Sequence, residues 1–241
     1  MSKSFKYGII GAGSMGREHI RNVNIINRAE IVALSDPNDE SINQSLSLLN
    51  KKVPYFTNYN EMIQADLVDG YIISTPNFTH IDVLKDVIKT KKHILVEKPL
   101  CTTIKDCIKF RDLTENYPGL IWTAMEYRYM PPVARFIEEI HKGTVGNLKM
   151  LTIREHRFPF LEKVDNWNRF DSNTGGTMVE KCCHFFDLMR FITQSEVKQV
   201  FASGNQDVNH LDEKYSGKVP DIIDNGFSIK HEISPNNFDF P

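Results

Sequence analysis

The chain has 241 residues, 41% hydrophobic and 25% charged, which is enough to bury a real core in one large domain or two modest ones. Its formal net charge of -2, pI near 6.4 and scattered lysines argue against nucleic acid and anionic membrane as partners. The start, Met1-Ser2-Lys3-Ser4-Phe5, has no apolar signal-peptide stretch and no segment is long enough to span a bilayer, so a soluble, cytoplasmic protein is expected. Cys101, Cys107, Cys182 and Cys183 show no metal-ligand spacing, which suits reduced thiols and predicts neither a disulfide framework nor a metal site.

The first apolar run, 5 to 10, reads as a strand and runs into Gly11-Ala12-Gly13-Ser14-Met15-Gly16, after which 15 to 26 reads as a helix. Glycine at 11 permits a tight turn, at 13 it lets backbone amides approach a pyrophosphate, and at 16 it lets the helix pack close to the strand. The helix N-terminus then faces the phosphates with its partial positive charge. The next run, 30 to 35, ends at Asp36, placed to accept hydrogen bonds from both hydroxyls of an adenosine ribose. Its charge opposes a 2'-phosphate, so NAD is expected in preference to NADP.

Apolar and amphipathic stretches go on alternating, with a short extended segment near Val53 to Phe56, strands at 69 to 74, 93 to 96 and 120 to 125, and helices at 78 to 90 and 103 to 116. This is the rhythm of a doubly wound parallel sheet of Rossmann type, expected over residues 1 to 125. Ligands of such sheets bind at the carboxyl ends of the strands, so Asp36, Ser74 to His80 and Glu97 to Pro99 are predicted to share one crevice. Lys98, directly after a strand, is a candidate to orient a hydroxyl and help remove its proton. The alternative is an ordinary solvated lysine.

After Met125 the rhythm changes to an α+β domain, expected over 126 to 241 with a mostly antiparallel sheet. It reads as a helix from Pro132 to Lys142, an alternating strand from Leu148 to His156, a helix from about Met178 to Ile192, a strand near Val197 to Ala202 and a polar loop from Gly204 to Pro220. On a continuous helix Glu180, His184 and Asp187 fall at i, i+4 and i+7, which puts an imidazole between two carboxylates on one face. That pattern suits proton exchange near neutral pH, and equally a packed histidine beside a surface pair. Cys182 and Cys183 read as packing residues.

These pieces, in this order, resemble the Gfo/Idh/MocA family of oxidoreductases. The glycine turn matches its cofactor turn, Ser74-Thr75-Pro76-Asn77-Phe78-Thr79-His80 resembles the loop passing the nicotinamide ribose, and Glu97-Lys98-Pro99 matches its most characteristic tripeptide. Arg128 within Glu126-Tyr127-Arg128-Tyr129, the helix ending in Gly143-Thr144-Val145-Gly146, and Gly175-Gly176 before the Glu180 to Asp187 segment follow in register.

The resemblance implies Lys98 and His184 as a catalytic pair with Glu180 where the family has aspartate. It implies cofactor contacts from Gly11 to Gly16, Asp36, Ser74, Thr75, Pro76, Asn77, His80, Glu97 and Lys98, and substrate contacts from Arg128 and Asp187. The reaction implied is hydride transfer between nicotinamide and a secondary alcohol of a sugar or cyclitol. Homo-oligomers through the second-domain sheet are implied as well. Glu180 and Cys182, where aspartate and glycine are usual, imply a distinct subgroup with its own substrate. After Val219 to Asn225 only one alternating run remains, so the second domain is expected to be shortened. The competing expectation is a dinucleotide-binding paralogue or sensor with weak catalysis or none.

Overall fold

The computed structural model describes residues 4–156, 163–203 and 229–232, the last four as backbone. The chain divides into two compact units, Met1–Ala124 and Met125–Pro241. The first holds six strands, β1 (Phe5–Ile10), β2 (Ala29–Ser35), β3 (Tyr55–Phe56), β4 (Gly70–Ile73), β5 (His93–Val96) and β6 (Ile121–Thr123). They form one sheet in the order β3-β2-β1-β4-β5-β6, every neighbouring pair parallel. Helices α1 (Ser14–Asn24), α2 (Asp39–Leu46), α3 (Tyr59–Ala65), α4 (His80–Val87) and α5 (Ile104–Thr114) connect them.

A parallel sheet covered on both faces needs strands that are apolar throughout. Every residue of β4 is accordingly buried. Side chains alternate between the faces: Ile9 and Ile72 join Ile20, Val23 and Ile42 on one side, while Ile10, Tyr71 and Ile73 join Met62, Leu84 and Phe110 on the other. Strand order reverses between β1 and β4, which is the switch point where ligands of such sheets bind.

The second unit contains α6 (Pro131–His141), α7 (Asp171–Thr174), α8 (Thr177–Glu180) and α9 (Cys183–Thr193). Strand β7 (Gln199–Ala202) pairs antiparallel with β8 (Ile229–Glu232), and these two are this unit's strands among the described residues. Ile137 and Ile140 of α6 pack with Leu188 and Ile192 of α9, and Tyr127, Leu148, Leu151 and Ile153 lean on that cluster.

Two expectations are corrected here. Leu148 to His156 forms no ladder among the described residues. Leu151 and Ile153 are half-buried and Thr152 and Arg154 exposed, so the alternation is real, but a strand also needs a partner for its backbone groups. The helix expected from Met178 to Ile192 is two helices. The amides of Lys181 and Cys182 both donate to the Thr177 carbonyl, at 2.9 and 3.1 Å. The second bond spans five residues, so the turn takes in an extra residue and the faces before and after it lose register.

The loop from Gly204 to Pro220 and the run from Val219 to Asn225 lie outside the described residues. Among the described residues, no helix is long and apolar enough to cross a membrane.

Candidate functional site

At the carboxyl edge of the first unit's sheet, the ladder continues one residue beyond β1, β4, β5 and β6. Gly11 N–H donates to Ser35 O, Ser74 N–H to Ile10 O, Glu97 N–H to Ile73 O and Ala124 N–H to Val96 O, all at 2.8 Å. Four segments therefore leave the sheet at a common level. Three of them carry the glycine turn, the Ser74 to His80 loop and the Glu97-Lys98-Pro99 turn.

Gly11 has φ +95°, and a Cβ there would stand 2.5 Å from the Ser74 backbone. A Cβ at Gly16 would stand 2.2 Å from Gly11 O, whereas one at Gly13 would meet nothing within 4 Å. Two of the glycines thus close the turn, and the third opens onto space. Ser74 Oγ donates to Gly11 O at 2.7 Å and Ser45 Oγ to Ala12 O at 2.8 Å, so the turn is braced from both sides.

Helix α1 starts at Gly13 with no side-chain cap and no acid in its first turn, and Ser14 and Met15 there are exposed. By contrast, α2 is capped by Asn38 and carries Asp39 and Glu40, and Thr103 caps α5. The positive end of α1 is left unneutralised by its own first turn, in front of the open space at Gly13, which fits the pyrophosphate of a dinucleotide.

Asp36 stands where β2 ends, its amide bonded to Phe56 O at 3.1 Å. Its Oδ2 accepts from Ala12 N–H at 2.7 Å and its Oδ1 from Asn38 N–H at 2.8 Å. An ionised carboxylate accepts about four hydrogen bonds, so two positions remain for hydroxyls. Thr75 and Pro76 are half-buried and Asn77 is buried.

Lys98 is half-buried and is joined to Pro99 by a cis peptide bond. Its amide donates to Glu97 Oε2 at 3.2 Å. Glu97 is buried, and its Oε1 accepts from His19 Nε2 on α1 at 2.8 Å. His80, at 0% exposure, has Nδ1 2.8 Å from Pro99 O and Nε2 2.9 Å from Thr75 O. Both partners are carbonyls, so a neutral ring, with one N–H, can serve either, and only imidazolium serves both. Both ring nitrogens of His80, for which the resemblance implies a cofactor contact, thus face backbone carbonyls.

In the second unit His184, 2% exposed, stacks on Tyr127 with centroids 4.1 Å apart and planes 6° apart. Its Nε2 lies 3.5 Å from Glu126 Oε1. Lys181 is also buried, at 8% exposure, with Nζ 4.5 Å from the Tyr127 ring centroid, bonded to the Tyr127 hydroxyl and 3.2 Å from Glu155 Oε1. Because of the widened turn, Glu180 ends α8 while His184 and Asp187 lie on α9; the three do not share one helical face.

Arg128 and Asp187 form a two-point pair, one bond being Nε to Oδ2 at 2.6 Å, and the guanidinium lies 4.3 Å from the Phe191 ring centroid. The Asp187 hydrogen bond pushes the Arg128 pKa up. His19, Lys181, Tyr127, Glu126 and Glu155 were not foreseen as parts of these clusters. A lysine directly before the two cysteines, amid apolar neighbours, was the available signal for Lys181.

All four cysteines are free thiols. Cys101 hydrogen-bonds Cys107, and that bond together with burial pushes the Cys101 thiol up, away from nucleophilic thiolate. No cluster of metal ligands occurs among the described residues.

A family model described as the oxidoreductase family, NAD-binding Rossmann fold, matches residues 5–124, and its companion, the C-terminal alpha/beta domain, matches 137–229. The chain is 30% identical over 192 residues to the rhizopine catabolism protein MocA of Rhizobium meliloti, covering 80% of this chain and 58% of that protein. It is 28% identical over 217 residues to a myo-inositol 2-dehydrogenase of Thermotoga maritima, covering 90% and 62%. Among solved structures, a probable dehydrogenase from Thermotoga maritima superposes with TM-score 0.73 at 26% identity, covering 85% of this chain and 60% of that one. The chain thus spans about three-fifths of the length of these relatives. With both family models matched in chain order, the protein belongs to the Gfo/Idh/MocA oxidoreductase family.

Proposed function

We propose that the protein is an NAD-dependent oxidoreductase that moves hydride between the cofactor and a secondary alcohol of a polyol, cyclitol or sugar. The observation carrying this reading is the shared edge at which the open glycine turn, the Asp36 carboxylate and Lys98 leave the sheet. Relatives named myo-inositol 2-dehydrogenase and glucose-6-phosphate 3-dehydrogenase support the substrate class. NAD, when bound, accepts or donates the hydride.

The chain's residues do the rest. The α1 amides and Gly13 receive the pyrophosphate, and Asp36 takes the ribose hydroxyls and disfavours a 2'-phosphate. Lys98 and His184 handle the hydroxyl proton, with Glu180 positioning the substrate or His184. In this division residues 1–125 hold the dinucleotide and 126–241 the substrate, and Arg128 with Asp187 meets the substrate as a pair.

The second reading is a dinucleotide-binding protein with little or no turnover. The mutual engagement of Arg128 and Asp187 and the lost register between Glu180 and His184 favour it. A panel of polyols and sugars offered with NAD and with NADP, alongside direct NAD binding, separates the two. NAD-linked turnover that Lys98→Ala abolishes while NAD still binds supports the first. Binding without turnover supports the second, and a clear NADP preference overturns the role of Asp36.

A further inference from the structure

The turn that carries Lys98 is gripped on both sides by backbone contacts, and each grip leads back to a cofactor loop. Ahead of it, the Lys98 amide bonds Glu97 Oε2, and the same carboxylate is held through Oε1 by His19, on the helix that begins at the glycine turn. Behind it, the Pro99 carbonyl lies 2.8 Å from His80 Nδ1 and the carbonyl of Thr75 2.9 Å from Nε2 of the same ring, so the tautomer with its proton on Nδ1 bonds the turn. His19 lies 78 residues from Glu97 in sequence and His80 lies 19 from Pro99, so neither contact is an incidental neighbour along the chain. Both imidazoles are largely out of solvent, the side chain of His19 at 15% exposure and His80 at 0%. Bonds so placed are costly to leave unmade.

We propose that His19 and His80 are positioning residues that hold the Lys98 turn from both sides and tie it to the glycine turn and to the Ser74 to His80 loop. A shift of either loop on taking up a dinucleotide is thereby passed to the lysine's backbone. Neither histidine touches the reacting atoms in this role. The turnover arm of the test rests on the proposed role of Lys98; the clamp itself does not.

The two histidines use different nitrogens, which makes the test specific. The amide nitrogen of glutamine reproduces the reach of imidazole Nε2, and that of asparagine the reach of Nδ1. His19 meets Glu97 through Nε2, so His19→Gln keeps the grip and His19→Leu removes it. At position 80, asparagine can bond Pro99 and not Thr75, while glutamine can do the reverse.

The direct readout is the rate at which acetic anhydride acylates Lys98 in the protein without cofactor, measured by peptide mass spectrometry against exposed Lys149 as internal reference. The second readout is kcat set beside NAD affinity. His19→Leu and His80→Gln are expected to change Lys98 acylation and lower kcat by about three- to tenfold, the worth of one hydrogen bond, with NAD affinity changed less than kcat. His19→Gln and His80→Asn are expected to depart less from the parent in both. Equal behaviour of Asn and Gln at position 80 together with equal behaviour of Gln and Leu at position 19 overturns the clamp. If position 80 proves intolerant and its variants unfold, the His19 pair decides alone. If the parent turns over no alcohol, the proposed function fails, and the acylation rates still decide the clamp.

Discussion

The ring of Tyr127 lies flat on that of His184, 4.1 Å between centroids, and its hydroxyl is bonded by the buried Lys181. One aromatic side chain thus serves two titratable neighbours by different means, a face for one and an oxygen for the other. Tyr127→Phe keeps the face and removes the oxygen, leaving the ammonium to Glu155; a loss of about 1–3 kcal/mol is expected in urea unfolding. Tyr127→Leu also removes the stack and is expected to lose about 0.5–1.5 kcal/mol more. Equal midpoints for Phe and the parent would show that the Lys181 bond contributes nothing.

The same small substitution at two glycines of one turn should separate folding from binding. At Gly16 the added methyl meets the Gly11 carbonyl, so Gly16→Ala should destabilise the protein by about 1–3 kcal/mol. At Gly13 it meets nothing, so Gly13→Ala should leave stability within about 0.5 kcal/mol. Occupying the space assigned to the pyrophosphate, it should still weaken NAD by about tenfold or more, a cost near 1.4 kcal/mol. Thermal unfolding and NAD titration on both variants check this, and a Gly13→Ala protein that binds NAD as the parent does would move the phosphates elsewhere.

Asp36 bonds the amides of both Ala12 and Asn38, so its neutral isostere should disturb turn and ribose together. Asp36→Asn is expected to weaken NAD by about 10- to 100-fold, the range for hydrogen bonds to a charged group. NADP should weaken far less, because the charge opposing its phosphate is gone. Dissociation constants for both cofactors give the ratio; an unchanged ratio would detach Asp36 from the ribose.

Tyr71 is fully buried at 0% exposure, and its hydroxyl meets no hydrogen-bond partner among the described residues. Burial first, then the charges of Asp66 and Tyr117, push its pKa up from 10.0 to about 12. The folded protein therefore keeps a proton that the unfolded chain releases between these values. The share of stability linked to this proton is whole below pH 10 and is lost as pH rises toward 12, about 2–3 kcal/mol. Tyr71→Phe should flatten that alkaline limb and cost nothing at neutral pH, since it removes an unpaired buried oxygen. Urea unfolding across the alkaline range tests it, and a variant with the parent's alkaline slope would assign the loss to other groups.

What could be read along the chain and what could not divides by the range of the forces involved. The Gly11 to Gly16 turn and Asp36 were legible because a tight turn, a close helix approach and a strand end are each set by a few neighbouring residues. Burial on both faces made β4 legible as an unbroken apolar run, and β5 as a shorter one from Ile94 to Val96. His19 was not legible as a partner of Glu97, because sequence proximity says nothing about a contact made where two distant segments meet. Leu148 to His156 shows the intermediate case: alternation is a property of the segment, whereas a ladder belongs to two segments. The break at Lys181 and Cys182 was hidden for another reason, since an extra residue in a helical turn changes hydrogen bonding without needing glycine or proline. Helical spacing then placed Glu180 and His184 together on a face that the chain does not build.

Uncapped α1 also bears on hydrogen exchange. Its ladder begins with Arg17 N–H donating to Gly13 O at 3.0 Å, so the amides ahead of Arg17 stand outside the helical register, while Asn38 and Thr103 each lend an oxygen to the start of α2 and α5. Of these three helix starts, the first turn of α1 is thus the one whose solvent protection depends most on what binds there. An anion that slowed exchange at Met15 and Gly16, with the caps of α2 and α5 unmoved, would trace the outline of its own site amide by amide.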